Sequence, residues 1–598
     1  MTLSNGDDVK RDITTLTERE YDLIIVGGGI FGICAAWDAT LRGLRVALLE
    51  RGDFAHATSA NSFRIIHGGM RYLQHADFQR VRESNRERNI LLRIAPHLVQ
   101  ILPVVIPTYG HGLKGKEILR MGMLLYDLIT WDRNRWPWDG HKLPPRGQMI
   151  SRQECLTLFP HLKSEGLTGA AIFYDGQMHH PARLALAFLR AAVEAGANAA
   201  NYVEVTRFIR RADRVIGVEA QDHLSSNRLE VRGKVILNAA GPWAEALFKQ
   251  EFGFSLRHPL SFSRDVCFLV ARPPTSPYAL AVQGRTRDPD AILSRGSRHL
   301  FLVPWRGYTL VGVWHKVHTG SPDSLTVTEE EMQQYLDEIN EAYPILALRV
   351  EDILTWNAGL VLFGENRPGA ANLSYGKRSQ IIDHARDHGI EGLITLIGVR
   401  FTTARSVATH VIDLVFHKLG QEPPPSVTDV TPVYGGQIQH LDTFLAQVVQ
   451  QRPPEVSVAT MRALVHNHGS AYGEILNLIR EDPTWAEPVG TSNVLKAEII
   501  YAIREEMAQR LSDLVFRRTD LAIGGDPGNA TLQACGMMAA AELGWNDERL
   551  FNELADVQAA FSSLPHRRIC QSSLSESSEP EGPVSVSMSW PLKAEEFV

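Results

Sequence analysis

The run Val26-Gly27-Gly28-Gly29-Ile30-Phe31-Gly32 carries the first clear chemistry, because Gly27, Gly29 and Gly32 are spaced G-x-G-x-x-G. Each glycine serves a pyrophosphate differently. The first permits a tight turn, the second lets backbone approach the phosphates, and the third lets a helix pack close to a strand. Ile30 and Phe31 lie within that turn, and the helix that follows has first N–H groups free to meet an anion. Glu50 follows about 23 residues after the first glycine, where an acid can take a pair of ribose hydroxyls. The turn points to a dinucleotide and does not by itself separate a flavin from a nicotinamide.

Two later runs favour FAD. Residues 237–243 (LNAAGPW), with Ala240 and Gly241, resemble the strand-to-glycine turn that returns to the cofactor in two-domain flavoproteins. Residues 396–403 (LIGVRFTT), with Gly398, Arg400, Phe401 and Thr402, resemble their last flavin contact. There a helix N-terminus faces the ring and favours negative charge on its reduced form. A nicotinamide site predicts one compact domain, not contacts spread from Gly27 to Thr403.

Residues 58–73 (TSANSFRIIHGGMRYL) make the match specific. With the glycine turn and Glu50, they resemble the T-S-S-x-S-x-[KR]-L-I-H-G-G-[LI]-R-Y-L run of the FAD-dependent glycerol-3-phosphate dehydrogenases. Residues 95–97, 123–127, 182–184 and 497–520 also resemble that family, so the likeness covers roughly residues 20–560. It implies that Thr58, Ser59, Ser62, Arg64, His67, Gly68, Gly69 and Val205 join the FAD contacts. It implies that Arg71 and Tyr72 meet a substrate phosphate, with Arg400 between substrate and flavin. The implied reaction oxidises a secondary alcohol (glycerol 3-phosphate to dihydroxyacetone phosphate, or a related polyol phosphate). Flavin N5 takes the hydride, and a quinone or another acceptor takes the electrons.

The substrate half departs from that pattern. The family's G-G-K-L-T-T becomes Gly398-Val399-Arg400-Phe401-Thr402-Thr403, which keeps a positive charge in another shape. The arginine of G-[VI]-R-P-L is missing from residues 359–363 (GLVLF). K-G-S-H becomes Arg264-Asp265-Val266-Cys267, and G-T-T-D becomes Gly312-Val313-Trp314-His315. His315 and Asp265 are therefore candidate bases by chemistry. Arg295, Arg298, Arg306 and Arg378 are candidates to replace the lost phosphate ligand. Three alternatives stay open: oxidation of an unphosphorylated alcohol or of a C–N bond, nicotinamide chemistry, and a flavin-binding protein without turnover.

These residues need an α/β scaffold. The expected fold is a two-domain flavoprotein, a Rossmann-like FAD domain with an inserted antiparallel-sheet substrate domain, plus a C-terminal helical domain. Strands are expected at residues 21–26, 45–50, 199–209, 230–238 and 393–397, with helices at 33–41, 181–195 and 402–419. A glycine turn at Gly68-Gly69 leads into a charged helix to Arg88. Residues 21–425 form the oxidoreductase region, with FAD segments at 21–100, 170–245 and 380–420 and cap segments at 101–169 and 255–379. Residues 430–565 are helical; Ile500, Ile503, Met507, Leu511 and Leu514 fall on one face of one helix. Residues 1–20 read as a polar tail, and 571–598, rich in Ser, Glu and Pro, as disordered.

The chain's 598 residues exceed one core. A net charge of −7 without a basic run gives no sign of nucleic acid. Five cysteines without metal-ligand spacing leave no metal site and suit a reducing, cytoplasmic setting. Residues 118–138 combine apolar residues, Arg120, Arg133, Arg135 and three tryptophans. That composition is compatible with peripheral contact on the inner face of the plasma membrane, and equally with a cap over the flavin. A homodimer is left open.

Overall fold

The computed structural model describes residues 11–562, apart from 112–114, 133–142, 258–259, 288–296, 365, 371, 375 and 377. The expected tail at 571–598, Arg295, Cys570 and residues 133–138 of the aromatic segment lie outside the described residues.

The expected FAD domain is built on a mostly parallel sheet, with Gln380–Asp383 antiparallel at one edge. Its order runs Gln380–Asp383, Leu393–Ile397, Arg228–Asn238, Glu20–Val26, Val46–Leu49, Asn198–Ala200. Every residue of Val46–Leu49 and Leu393–Ile397 is buried, as strands covered on both faces require. Glu20–Val26 pairs with Arg228–Asn238 and Val46–Leu49, so Val26 ends level with Asn238 and Leu49. This register brings the glycine turn, Glu50 and the 238–243 turn to one sheet edge. Helices Ile30–Leu41, Pro181–Glu194 and Ala404–Lys418 pack over one face, with Trp37 edge-on to Phe188 at 5.2 Å.

A second sheet runs Ile353–Leu362, Phe262–Val270, Tyr308–His318, Ser297–Trp305, Ala279–Arg287, Val99–Tyr109, Leu167–Met178, Ile65–Ile66. It is antiparallel apart from one pairing, that of Ala279–Arg287 with Val99–Tyr109. The expected inserted sheet is thus only half of it. Strand Leu167–Met178, expected in an FAD segment, pairs along its length with Val99–Tyr109 instead.

Other differences are local. Residues 64–88 are not a turn and one helix. Ile65–Ile66 is a strand, Met70–His75 a 3-10 turn, and helix Phe78–Ile94 starts afresh behind Asp77, which caps Arg80 N. Ala76, at φ +51, makes the break. The strand expected over 199–209 is split by Tyr202, at φ +58. Residues 12–18 are not a loose tail, because helix Ile13–Glu18 buries Leu16. The single helix expected through the stripe from Ile500 to Leu514 is helix Lys496–Glu505, then a bend at Met507 (φ +53), then Leu511–Asp513 and a π turn Leu514–Arg518. All five stripe residues are still buried; apolar spacing reported burial, not continuity.

Candidate active site

Gly27 has φ +108, and a β-carbon there would sit 2.6 Å from Ala239 O. At Gly32 it would sit 2.0 Å from Gly27 O. Both positions exclude any side chain, and Gly27 presents only backbone to the cavity. Gly29 caps helix Ile30–Leu41 without a side chain, and Ile30 N donates to Ser59 Oγ at 3.0 Å. Glu50 is buried; its oxygens accept from Gly28 N (2.6 Å) and Gly52 N (2.8 Å). Two amides fix the position of the carboxylate.

These groups line a cavity of about 1500 Å³ between the two sheets. Gly27, Gly29, Ile30, Phe31, Glu50, Thr58, Ser59, Ser62, His67, Gly69, Val205, Ala240, Gly241, Gly398, Phe401 and Thr402 all stand in its wall. The volume and the side-chain-free glycine wall suit an extended dinucleotide. Gly32, Arg64 and Gly68 stand outside the wall. Gly32 is a packing glycine. Arg64 is buried, with Cζ 3.7 Å from the Trp305 ring centroid and NH2 on Asn357 Oδ1. Burial pulls its pKa down to about 10, which leaves it charged at neutral pH. A β-carbon at Gly68 would sit 2.3 Å from Arg88 NH1, so this glycine lets the turn close onto helix Phe78–Ile94.

Arg71, Tyr72, Arg400 and His315 line the same cavity. Arg400 Cζ lies 4.6 Å and Arg80 Cζ 4.8 Å from the Tyr72 ring centroid, so one aromatic ring holds two guanidinium groups. His67 Nδ1 is 3.2 Å from Asp175 Oδ2, and Asp175 Oδ1 accepts from Gly68 N at 2.7 Å. Asp175 is a site residue that sequence reasoning missed; lying in a mostly apolar strand, it gave no spacing signal.

His315 and Asp265 face each other across paired strands and meet, with His315 Nδ1 2.8 Å from Asp265 Oδ1. Ser263 Oγ donates to the same Asp265 oxygen. Cys267, where the family pattern has histidine, also lines the cavity. Burial pushes its thiol up to about 12, so it stays neutral and is no base. Trp314 stacks on Phe268 and Tyr335 at 5.3 and 4.8 Å, and its Nε1 donates to Glu338; it fills core.

The candidate replacement arginines separate. Arg298 lines the cavity. Arg306 is paired with Asp520 of the C-terminal domain, and Arg378 donates to Gln79; neither lines it. At the stretch that lacks an arginine, Leu360 exchanges hydrogen bonds with Thr58 Oγ1, at 3.0 and 3.1 Å, tying the substrate sheet to the cofactor run. Among the described residues, no group of His, Cys, Asp and Glu could hold a metal ion.

The chain matches the family described as FAD dependent oxidoreductase over residues 22–412. It matches the C-terminal domain of alpha-glycerophosphate oxidase over residues 426–550. It is 31% identical over 556 residues to a glycerol-3-phosphate dehydrogenase of Synechocystis, covering 90% of this chain and 96% of that protein. It is 29% identical over 518 residues to an aerobic glycerol-3-phosphate dehydrogenase of Bacillus subtilis, covering 85% and 88%. Its fold is similar to that of the Bacillus halodurans glycerol-3-phosphate dehydrogenase complexed with FAD. The TM-score is 0.72 at 24% identity, over 92% of this chain and 97% of that one. The glycine turn, the cavity and these matches together make the chain an FAD-dependent oxidoreductase of the glycerol-3-phosphate dehydrogenase family.

Proposed function

We propose that the protein oxidises glycerol 3-phosphate, or a closely related polyol phosphate, at its secondary alcohol. One observation carries this reading. Arg71, Tyr72, Arg400 and the His315–Asp265 pair open onto the same cavity as the dinucleotide turn. FAD, when bound, supplies the hydride acceptor. His315 accepts the hydroxyl proton. Asp265, whose carboxylate lies 2.8 Å from Nδ1, orients the imidazole for that role. Arg71 and Arg400 hold the phosphate through charge-assisted hydrogen bonds. Tyr72 sets the direction of the Arg400 guanidinium. Helix Ala404–Lys418, entered through Phe401–Thr403, points its N-terminus at the cavity end that holds Gly398 and Arg400, and favours negative charge there.

The electrons go to a quinone in a membrane on which the protein rests. Helix Lys116–Ile129 buries Leu119, Met123 and Tyr126, yet leaves Met121, Leu124 and Leu128 between 63% and 70% exposed. Exposed Leu125 and Trp131 extend this apolar stripe, and Met121 and Leu125 also line the cavity. An apolar face at the cavity mouth suits an acceptor that arrives from lipid. No helix among the described residues is long and apolar enough to cross a membrane.

The test is anaerobic addition of glycerol 3-phosphate to the purified, yellow holoenzyme. Bleaching of the flavin band is expected. An unbleached band with glycerol 3-phosphate, alongside bleaching by an amino acid or an unphosphorylated alcohol, would overturn the substrate assignment.

A further inference from the structure

The turn after Glu50 is held from outside its own domain. Asp53 is 2% exposed, and its carboxylate receives two arginines of the C-terminal domain. Arg518 donates NH2 to Oδ1 and NH1 to Oδ2, both at 2.6 Å, and Arg517 donates Nε to Oδ2 at 2.5 Å. Asn201 Nδ2 reaches Asp53 Oδ1 at 3.1 Å and also Met507 O at 2.9 Å. Arg517 is shared with Asp513 at 2.7 Å, and Asp513 accepts from Tyr202 OH at 2.6 Å. Two buried carboxylates thus balance the buried guanidinium of Arg518 and the half-buried one of Arg517. The guanidiniums hold the Asp53 carboxyl well below its ordinary range, against the opposing pull of burial.

The same turn forms a floor under the cofactor motif. Ala55 N donates to Gly28 O at 2.9 Å. Phe54 packs so close to Gly28 that a β-carbon there would sit 2.6 Å from its ring. His56 Nδ1 lies 2.7 Å from Asp53 O and 3.6 Å from Glu50 Oε1. Gly52, whose N–H holds Glu50, gives its carbonyl to Tyr202 N at 2.9 Å. The residues flanking Asp53 on both sides therefore contact Gly28 and Glu50. The bend at Met507 and the π turn that defeat a continuous helix are what aim Arg517 and Arg518 into this turn.

We propose that the C-terminal helical domain is part of the FAD site: Arg518, assisted by Arg517, is a positioning group that acts through Asp53 on Glu50 and the glycine turn and sets the affinity for FAD. A buried ion pair adds little net stability compared with an apolar packing of the same volume, so cohesion alone does not account for a charged cluster here. The inference rests on FAD as cofactor and not on the identity of the substrate.

Apoprotein is titrated with FAD, following the quenching of flavin fluorescence, for Arg518→Met, Arg518→Lys, Asp53→Asn and a control, Arg190→Met. Arg190 joins the same two domains through Tyr501 and Tyr434, away from the turn. Arg518→Met and Asp53→Asn are expected to raise the FAD dissociation constant by about 10- to 100-fold, by analogy with the loss of a partner that orients a metal ligand. Arg518→Lys should recover part of the loss, and turnover per bound flavin should persist at saturating FAD. Arg190→Met should lower Tm and leave the dissociation constant unchanged. If Arg518→Met does not fold, the near-isosteric Asp53→Asn carries the same expectation. Unchanged FAD affinity, or equal loosening by Arg190→Met for an equal fall in Tm, would reduce the cluster to cohesion and overturn the proposal.

Discussion

His315 and Asp265 are directly opposed in register on neighbouring strands, and their side chains meet at 2.8 Å. A carboxylate this close orients the imidazole for service as a base. His315→Asn is expected to slow flavin reduction by substrate about 10²- to 10⁴-fold, the usual contribution of a general base, while FAD stays bound. Asp265→Asn should slow it less and change its pH profile, because the histidine remains but loses its orientation. Stopped-flow bleaching across pH checks both. An unchanged bleaching rate in His315→Asn would assign the base elsewhere.

Arg400 and Tyr72 bear on binding more than on chemistry. Removing one charge-assisted contact costs about 1.5–3 kcal/mol. Arg400→Met is therefore expected to raise KM for glycerol 3-phosphate about 10- to 150-fold at 25 °C. Tyr72→Leu should give a smaller rise, because it removes only the surface that directs the guanidinium. The unphosphorylated alcohol should lose nothing in either variant, so steady-state kinetics with both substrates isolates the phosphate contribution.

The cofactor half was legible because its demands are local. Gly27, Gly32 and Glu50 act through backbone conformation and short spacing, which a linear sequence displays. The substrate half was not, because its contacts join distant strands. Asp265 and His315 were separate candidates until the sheet register paired them. Asp175 had no motif around it, and the link from Asp53 to Arg517 and Arg518 spans 464 and 465 positions. Periodicity found the burial of Met507 and Leu511 but not the break between them, since a buried stripe survives a bend that keeps each side chain inward.

Five histidines gather where the C-terminal domain meets the FAD domain: His97, His180 and His468 are buried, and His179 and His466 are half-buried. Burial, reinforced by nearby arginines, pushes all five down, His97 and His180 to about 3. Unfolded histidine titrates near 6.5, so below that pH the unfolded chain binds protons that the folded chain refuses. Stability is expected to be full above about pH 6.5 and to fall towards pH 3, by at most about 1.4 kcal/mol per pH unit for each histidine. Glu498 has the opposite sign. Burial raises it to about 8, so ionising it costs stability as pH rises from its unfolded value through 8. Glu498→Gln should raise Tm at pH 8 and leave it little changed at pH 4.5. Calorimetry over pH 4.5–8 checks both limbs, and a flat Tm would contradict both.

The exposed stripe on helix Lys116–Ile129 makes a prediction that separates electron acceptance from substrate oxidation. Met121, Leu124 and Leu128 recur at helical spacing and point away from the core that Leu119, Met123 and Tyr126 fill. Leu124→Asp with Leu128→Asp places charge on that face without touching the buried one, so Tm is expected to hold. Desolvating two carboxylates against lipid is unfavourable, so co-sedimentation with liposomes should be lost. Activity with a quinone embedded in those liposomes should fall with it. Activity with a water-soluble dye should stay at the parent rate, because Arg71, Arg400 and His315 are untouched. If the dye and quinone rates fall together, the stripe is a cap over the active site; if neither falls, the electrons leave by another face.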